Sequence, residues 1–401
     1  MTRSTSNSAT REAPGTVGVS LLGTYPSTRC GIATFTRALR DALAALDGVD
    51  ADVVRVVAHD EPGWPDDPGE PAGVAGQWRQ GDDGGLHEAL AVVAGRDAVV
   101  VQHEFGIYGG RDGDEVVEFL EGCPVPKIVV LHTALAAPSH HQRYVLDAIA
   151  DRADALVVQS FAARDRIADT ITDLGGVPLV VIPHGAALNL VGASARLAPS
   201  PVVLTWGLIG PGKGIEHGIT ALAALGDLVP RPTYLVVGGT HPKVLEREGE
   251  AYRSRLMSLA CALGVRDQVV FADKYRTTSD LQALVRGADI VLLPYDSPEQ
   301  VTSGVLVEAQ AAGKPVVATA FPHAVEALAD GSGLVVPRGD ATAIAGALRS
   351  ILLHPRQADA MRRAARDAAL GLAWPTVAGR YAELARQLVG RRLAALGESW
   401  R

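Results

Sequence analysis

The residues of this chain best suited to bind an anion lie in its second half, in a glycine-rich turn. Lys213 stands within GLIGPGKGIE, between an apolar run and a helical pattern. Because the chain has only five lysines, a casual surface charge is a weaker explanation for this ammonium group. A compact ammonium beside exposed backbone amides suits a diphosphate. The turn lacks the GxxxxGK(S/T) spacing, which argues against a Walker A loop.

A second candidate site lies in PYDSPEQVTSGVLVEAQAAGKPVVAT (294–319). A polar loop there leads into a helix, for which Ser303 is the predicted N-cap. The backbone amides of Gly304 and Val305 are then free to face a ligand. Glu308 lies one turn further on, where a carboxylate can hold a vicinal diol as acids hold ribose in nucleotide folds. The alternative role of Glu308 is to complement the helix dipole.

The first apolar run leads into GTYPSTRCGIATFTRAL. Ile32, Phe35 and Leu39 have helical spacing there, which predicts a helix that begins just after Cys30-Gly31. A glycine at this turn allows backbone amides to approach a phosphate. Its alternative role is a tight turn in which Gly31 is needed for packing. The GxGxxG fingerprint of dinucleotide-binding proteins is absent.

Two histidines and an acid follow apolar runs in the first half of the chain. His103 and Glu104 begin HEFGIYGG, and His132 lies in LHTALAAPSHH. Ligands bind at the carboxyl ends of strands in doubly wound sheets. Histidine there can donate to a hydroxyl or phosphate and can shuttle a proton near neutral pH. A single such histidine is typical of a structural role, whereas two on neighbouring strands favour a functional one.

Composition and spacing argue against several classes of protein. The formal charge of −8 disfavours nucleic-acid binding. Cys30, Cys123 and Cys261 are odd in number and far apart, and HExxH is absent, so neither disulfides nor a metal site are expected. The two DxD triplets are as frequent as chance predicts. Apolar runs end well short of the ~20 residues that span a bilayer. We therefore expect a soluble, cytoplasmic protein without a cofactor.

The elements that must position these residues are short apolar strands alternating with helices. Continuous apolar runs, rather than alternating ones, indicate a parallel sheet that is covered on both faces. The alternation predicts doubly wound α/β domains. The predicted strands are 17–23, 53–59, 98–104, 127–133, 155–160, 178–185, 202–207, 234–239, 268–272, 289–295, 314–319 and 333–337. After residue 340 the chain is predicted to be helical.

Twelve strands exceed one ordinary sheet, so we expect two domains that face each other across a cleft. Residues 190–201 have the composition of a linker. The segment 59–85 is rich in Pro, Gly and Asp and is predicted to be a long loop. Residues 1–16 are polar, lack the apolar core of a signal peptide, and are predicted to form a flexible tail.

Together these segments resemble the retaining glycosyltransferases of GT-B fold in family four, the glycosyltransferase group 1 set. The resemblance covers nearly the whole chain and is carried by TYPSTRCGIATFT, GLIGPGKGIE and SPEQVTSGVLVEAQAAGKPVVAT, of which the last is the most specific. PTVAGRYAELARQL is similar to the family's C-terminal helix, which crosses back to the first domain. The resemblance thus implies an acceptor-side Rossmann-like domain (17–195, with a returning helix at about 376–401) and a nucleotide-sugar-binding one (196–375).

The resemblance also implies roles for individual residues. Lys213 would neutralise the donor diphosphate, the amides of Gly304 and Val305 would bind it after the Ser303 cap, and Glu308 would hold the ribose. Gly31 would approach the phosphates from the other domain. His132 is similar to the family histidine that contacts the donor sugar and steadies the departing phosphate. His103 and Glu104 remain candidates for the acceptor side of the cleft.

Two departures from the family pattern stand out. The family has an arginine after the first glycine of the lysine turn, where this chain has Leu208. It also has a glutamate eight residues before Glu308, where this chain has Gln300, with Glu299 beside it. One diphosphate contact is therefore missing, and the carboxylate contact to the donor sugar is weakened or moved.

The expected reaction moves a hexose, with mannose as one candidate, from a nucleotide-diphosphate sugar to a hydroxyl of a glycan, lipid or small molecule. Without a well-placed carboxylate nucleophile, retention favours same-face attack, with Lys213, the helix amides and His132 in place of a metal ion. A lipid acceptor would bring peripheral contact with a membrane. Base selectivity is expected from loops near 240–245 and 272–277.

Three alternatives remain open. A non-hydrolysing nucleotide-sugar epimerase needs paired acids, and Glu104, Glu299 and Glu308 form no obvious pair. An inactive GT-B subunit that serves as a scaffold or partner is compatible with Leu208 and Gln300. An NAD-dependent oxidoreductase would need the missing glycine fingerprint.

Overall fold

The computed structural model of the chain describes residues 15–28, 30–59, 73–192, 200–272, 277–297 and 300–398. These residues form two α/β domains, each built on one parallel sheet with helices packed against it. The expected two-domain fold with doubly wound sheets is confirmed. The predicted tail and linker lie mostly outside the described residues.

The first sheet has seven strands, all paired in parallel. They are β1 (Val17–Gly23), β2 (Val49–Val57), β3 (Val74–Arg79), β4 (Ala98–His103), β5 (Lys127–Leu131), β6 (Ala155–Val158) and β7 (Leu179–Val181). Their order in the sheet is β3-β2-β1-β4-β5-β6-β7. The order reverses between β1 and β4, and a crevice at the carboxyl ends is expected at such a switch point.

The second sheet repeats this plan with six parallel strands. They are β8 (Val202–Trp206), β9 (Thr233–Val237), β10 (Val269–Ala272), β11 (Ile290–Leu293), β12 (Val316–Thr319) and β13 (Gly333–Val336). The order is β10-β9-β8-β11-β12-β13, with its reversal between β8 and β11. All twelve predicted runs contain a strand.

The helices follow the strands as the sequence pattern predicts. The first group is α1 (Gly31–Ala44), α2 (Asp83–Ala94), α3 (Glu115–Gly122), α4 (His140–Ala150) and α5 (Phe161–Thr170). The second group is α6 (Ile215–Ala223), α7 (Pro242–Glu248), α8 (Ala251–Ala262), α9 (Thr278–Gly287), α10 (Gly304–Ala311), α11 (Pro322–Ala327), α12 (Ala341–Leu353), α13 (Pro355–Leu372) and α14 (Trp374–Glu398). The predicted start of α1 and the Ser303 cap of α10 are confirmed. Among the described helices, none combines the length and the apolar character that a bilayer span requires.

The predicted loop over 59–85 is wrong at its C-terminal end. Residues 60–72 lie outside the described part of the chain, but β3 begins at Val74 and α2 begins at Asp83. Trp78 is only 2% exposed and packs in the first-domain core. An edge strand pairs on one side only, so a short VAGQWR run anchored by one buried tryptophan is sufficient there.

The last helix, α14, packs against the first domain rather than the second. Its apolar residues Val377, Tyr381 and Ala385 lie in the same buried cluster as Leu39 and Leu43 of α1. A parallel bridge between Ala186 and Ala373 joins the chain just before this helix to the segment after β7. The C-terminal helix therefore connects the two domains a second time.

We predict that Tyr381→Ala lowers the free energy of unfolding of the first domain by about 3–5 kcal/mol, the cost of deleting a buried aromatic side chain. Tyr381 is 1% exposed. Urea unfolding combined with hydrogen exchange of the first sheet measures the change. Tyr144→Ala is the matched control, because Tyr144 is 56% exposed and its loss should cost less than about 1 kcal/mol. Equal costs for the two variants would contradict the packing of α14 on this domain.

Candidate functional site

Residues that follow the carboxyl ends of strands in both sheets come together at the start of α10, and we call the region between them the cleft. His184, which follows β7, lies with its Nε2 atom 3.1 Å from the position that a Cβ on Gly304 would occupy. The Ser160 hydroxyl, at the start of α5, donates a 2.7 Å hydrogen bond to the Val301 carbonyl. Residues of both domains therefore meet at the first turn of α10.

The lysine turn, residues 207–214, is held tightly against the end of β11. Gly214 has a φ of 61°, and a Cβ there would lie 1.8 Å from the Pro294 carbonyl oxygen, so only glycine fits. The Asp296 amide donates to the Gly212 carbonyl at 3.0 Å and fixes the other side of the turn. The position of Lys213 is therefore set by backbone packing rather than by a side-chain partner.

The Lys213 ammonium lies over the ring of Tyr295, with Nζ 4.2 Å from the ring centroid. Tyr295 in turn stacks on Phe321. No carboxylate in the described part of the chain forms an ion pair with Lys213, and burial lowers its pKa. A cation that is partly desolvated and held only by an aromatic face has its charge available for an anionic ligand.

The first turn of α10 presents two backbone amides without a protein partner. The Ser303 hydroxyl accepts from the Leu306 amide at 3.3 Å, and the Ser303 amide donates to Nδ1 of His323 at 2.9 Å. Within the described residues, the amides of Gly304 and Val305 have no such acceptor. Free amides at the positive end of a helix form an anion-binding site.

Glu308 lies on the same helix and is open to solvent. The indole Nε1 of Trp206, at the end of β8, donates to its Oε2 atom at 3.1 Å. Although the side chain is exposed, the protein around its carboxylate raises the pKa of Glu308. The pKa of Tyr295 is raised mainly by burial, to which the Glu308 charge adds. The tryptophan fixes one oxygen and leaves the other available, as binding of a diol requires.

His132 is held in the first domain by two glutamines. Its Nε2 atom lies 2.7 Å from Oε1 of Gln102, and its Nδ1 atom lies 3.4 Å from Nε2 of Gln159. The edge of the ring packs against Phe35, with 4.9 Å between centroids. This arrangement corresponds to a neutral imidazole that donates from Nε2 and accepts at Nδ1.

Four histidines of the two domains are neutral near pH 7. Burial lowers the pKa of His132 to about 3 and the pKa values of His103, His184 and His323 to about 4. With pKa values this low, His103 and His132 lie outside the range in which a histidine shuttles protons near neutral pH. Removal from water disfavours the charged imidazolium, and none of the four has a carboxylate partner among the described residues.

The other first-domain candidates lie in different surroundings. Gly31 is exposed at the start of α1, and a Cβ on it would meet no atom within 4 Å, so packing does not require glycine there. The His103 side chain is fully buried and does not line the open cleft as expected. Glu104 accepts from the Gly106 amide at 2.9 Å and stabilises its own turn.

Leu208 and Gln300, which depart from the family pattern, have different surroundings. Leu208 is 42% exposed at the lysine turn. The Gln300 side chain donates back to the Thr302 carbonyl. Glu299 lies outside the described residues.

One group of potential metal ligands was not expected from the sequence. Glu216, His217 and Asp296 place their ligand atoms within 4.8 Å of one another. Nε2 of His217 lies 3.0 Å from Asp296, and Tyr252 donates to Glu216 at 2.7 Å. In the DxD triplet of β2, by contrast, Asp50 and Asp52 both pair with Arg96.

Sequence reasoning missed four side chains that shape this site: His184, Trp206, Tyr295 and His323. The first three lie at the carboxyl ends of predicted strands, so their position was a usable signal. His323 lies on the short helix α11, and its contact with Ser303 spans 20 residues. A long-range contact of this kind leaves no local pattern in the sequence.

We predict that the free energy of unfolding falls steadily as the pH drops from 6.5 towards 4. Unfolded histidines titrate near pH 6.5, whereas His103, His132, His184 and His323 have pKa values of about 3 to 4 in the folded protein. The unfolded chain therefore binds more protons in this window. Each histidine adds a slope of about 1.4 kcal/mol per pH unit. Urea unfolding at pH 7.5, 6 and 5 measures the loss. His103→Leu should reduce the slope, and a free energy that is constant from pH 7.5 to 5 would contradict the assignment.

Comparisons with known proteins agree with this geometry. The family described as "Glycosyl transferases group 1" matches residues 193–368. The GDP-mannose-dependent alpha-(1-6)-phosphatidylinositol monomannoside mannosyltransferase of Mycolicibacterium smegmatis is 35% identical over 205 residues, which are 49% of this chain and 50% of that protein. The D-inositol 3-phosphate glycosyltransferase of Kineococcus radiotolerans is 30% identical over 272 residues, 62% of this chain and 60% of that protein. The chain spans about half the length of the curated relatives it matches.

Solved structures extend the similarity to both domains. Sucrose-phosphate synthase from Thermosynechococcus elongatus superposes with a TM-score of 0.73 at 21% identity, over 94% of this chain and 100% of that one. Anabaena HepE in complex with UDP gives a TM-score of 0.70 at 17% identity, over 93% and 100%. At such identities the similarity shows the fold. Residues 193–368 are therefore similar to the glycosyl transferases group 1 family, and both domains share the GT-B fold of these solved structures.

Proposed function

We propose that this protein is a retaining glycosyltransferase that moves a hexose from a nucleotide-diphosphate sugar to a hydroxyl group. The observation that carries the proposal is the Lys213 ammonium, which has no carboxylate partner in the described residues and lies in the same cleft as the free amides of Gly304 and Val305. A diphosphate satisfies both groups, because it accepts from amides and neutralises a cation. The names of the relatives, one of them dependent on GDP-mannose, agree with such a donor.

The reaction follows from where charge develops. The bond from C1 of the sugar to the diphosphate oxygen breaks, and a bond from C1 to the acceptor oxygen forms on the same face. The acceptor proton passes to the departing diphosphate. Lys213 and the α10 amides lie where negative charge grows, and donors fixed in advance are usually the largest catalytic term.

The remaining residues orient the donor. The free Oε1 of Glu308 binds the ribose while Trp206 holds the other oxygen. His132, as a neutral imidazole, exchanges its long 3.4 Å contact with Gln159 for a hydroxyl of the donor sugar. The missing side chain of Gly31 gives a phosphate room to approach the start of α1.

The acceptor side lies in the first domain, near the loop that begins with Glu104. A glycan, a lipid headgroup or a small polyol can offer the hydroxyl. The relatives named for D-inositol 3-phosphate and phosphatidylinositol mannoside favour a polyol or a polyol lipid. With a lipid acceptor, the reaction would take place in peripheral contact with the cytoplasmic face of a membrane.

A second function, a GT-B scaffold without catalysis, is favoured by two observations. Leu208 brings no positive charge to the lysine turn, and the side-chain amide of Gln300 donates to the Thr302 carbonyl. A scaffold would bind a nucleotide weakly and would neither hydrolyse nor transfer the sugar. Donor hydrolysis followed by product NMR separates the two functions.

We predict that Lys213→Ala raises KM for the donor and lowers kcat together, because the ammonium binds the diphosphate in the ground state and more strongly as its charge grows. Binding of UDP or GDP, measured by calorimetry, should weaken by about 1.5–3 kcal/mol. Lys127→Ala is the matched control, because Lys127 pairs with Asp154 at the amino end of β5. Nucleotide affinity equal to that of the unmodified protein would exclude this diphosphate site.

We also predict that turnover persists in EDTA, because Lys213 and the helix amides already supply the positive charge that a metal would bring. Steady-state rates with and without EDTA, Mg²⁺ and Mn²⁺ provide the measurement. Activity that EDTA abolishes and Mn²⁺ restores would refute metal independence. Repeating the assay with His217→Ala would then show whether the Glu216, His217 and Asp296 group holds that metal.

A further inference from the structure

A cluster of contacts between the domains lies beside the α10 turn, and the reaction proposed above does not use it. Glu326, on α11 of the second domain, accepts from the backbone amides of Phe161 and Ala162 on α5 of the first, at 3.0 Å each. The two carboxylate oxygens each take one amide. A carboxylate at the start of a helix is also stabilised by the helix dipole.

Two further contacts lie on the same segment. Ser160 caps α5 by accepting from the Ala163 amide at 3.0 Å, and its hydroxyl donates to the Val301 carbonyl. The Val301 side chain is 3% exposed and packs in the apolar cluster of the first domain, although it belongs to the second. We call Ser160, Val301 and Glu326 the inter-domain clasp.

The clasp is joined to the anion-binding turn through α11. His323, one turn before Glu326, accepts from the Ser303 amide at 2.9 Å. Gln310 of α10 donates to the Ala327 carbonyl at 3.1 Å, which joins the far ends of these two helices. The groups that hold the first domain and the groups that set the direction of the α10 amides therefore lie on one connected unit.

We propose that Glu326 is a positioning residue that holds the cleft closed and, through α11, fixes the first turn of α10 for reaction. Opening the cleft breaks the two carboxylate bonds and exposes Val301. The effect of Glu326 on turnover rests on the proposed sugar transfer, whereas the effect of Glu326 on domain closure does not.

The test compares Glu326→Ala with Glu326→Asp, which keeps the charge, and with Glu383→Ala, which removes an exposed glutamate from α14. X-ray scattering of the full chain measures closure, and residue-resolved hydrogen exchange measures protection of the Phe161 and Ala162 amides. For Glu326→Ala we expect a larger radius of gyration and at least tenfold faster exchange at both amides. Glu326→Asp should recover part of both, and Glu383→Ala should match the unmodified protein.

Steady-state kinetics and calorimetry with UDP and GDP complete the test. For Glu326→Ala we expect kcat at least tenfold lower, with nucleotide affinity changed less than threefold. Unchanged scattering and unchanged exchange would overturn the clasp, whatever the kinetics show. Changed scattering with unchanged kcat would overturn the positioning role. If the unmodified protein transfers no sugar, the proposed function fails, and scattering and exchange still decide whether the clasp exists.

Discussion

The first turn of α10 is the point on which the cleft depends, because elements from both domains converge there. His323 accepts a hydrogen bond from the Ser303 amide, and His184 lies against Gly304. Val301, two residues before Ser303, packs in the first-domain core. These contacts occupy the neighbours of the turn but leave the amides of Gly304 and Val305 without a partner in the described structure. A helix end built so closely, with its own donors unsatisfied, is pre-organised for an anion.

The side chains described around this turn are mostly neutral, and Lys213 supplies the positive charge. His184 and His323 contact this turn, and burial keeps both of them neutral, so they bring polar groups to the turn without positive charge. Lys213 is the cation whose position is fixed by backbone packing, and an aromatic ring rather than an acid supports it. A carboxylate in place of Tyr295 would compete with any anionic ligand for that charge.

Much of the framework could be predicted from the sequence because it depends on local patterns. Apolar runs predicted twelve of the thirteen strands in the described residues, and the Ser303 cap predicted the start of α10. The edge strand β3 was missed because a single buried residue, Trp78, replaces an apolar run there. The neutral state of His132 and the contacts of Glu326 depend on residues distant in sequence, so no spacing rule predicts them.

The same balance of charges bears on Leu208, which stands where the family pattern has an arginine. In the proposed reaction a departing nucleoside diphosphate carries more than one negative charge. Lys213 brings one positive charge and the α10 terminus about half of one. Leu208 brings none, and a histidine with a pKa of about 3 or 4 brings none near pH 7. Glu308, which accepts a hydrogen bond from Trp206, brings a carboxylate and therefore no positive charge. In the proposed reaction, transfer of the acceptor proton to the diphosphate therefore activates the acceptor and also removes one negative charge, in place of the positive charge that Leu208 does not bring.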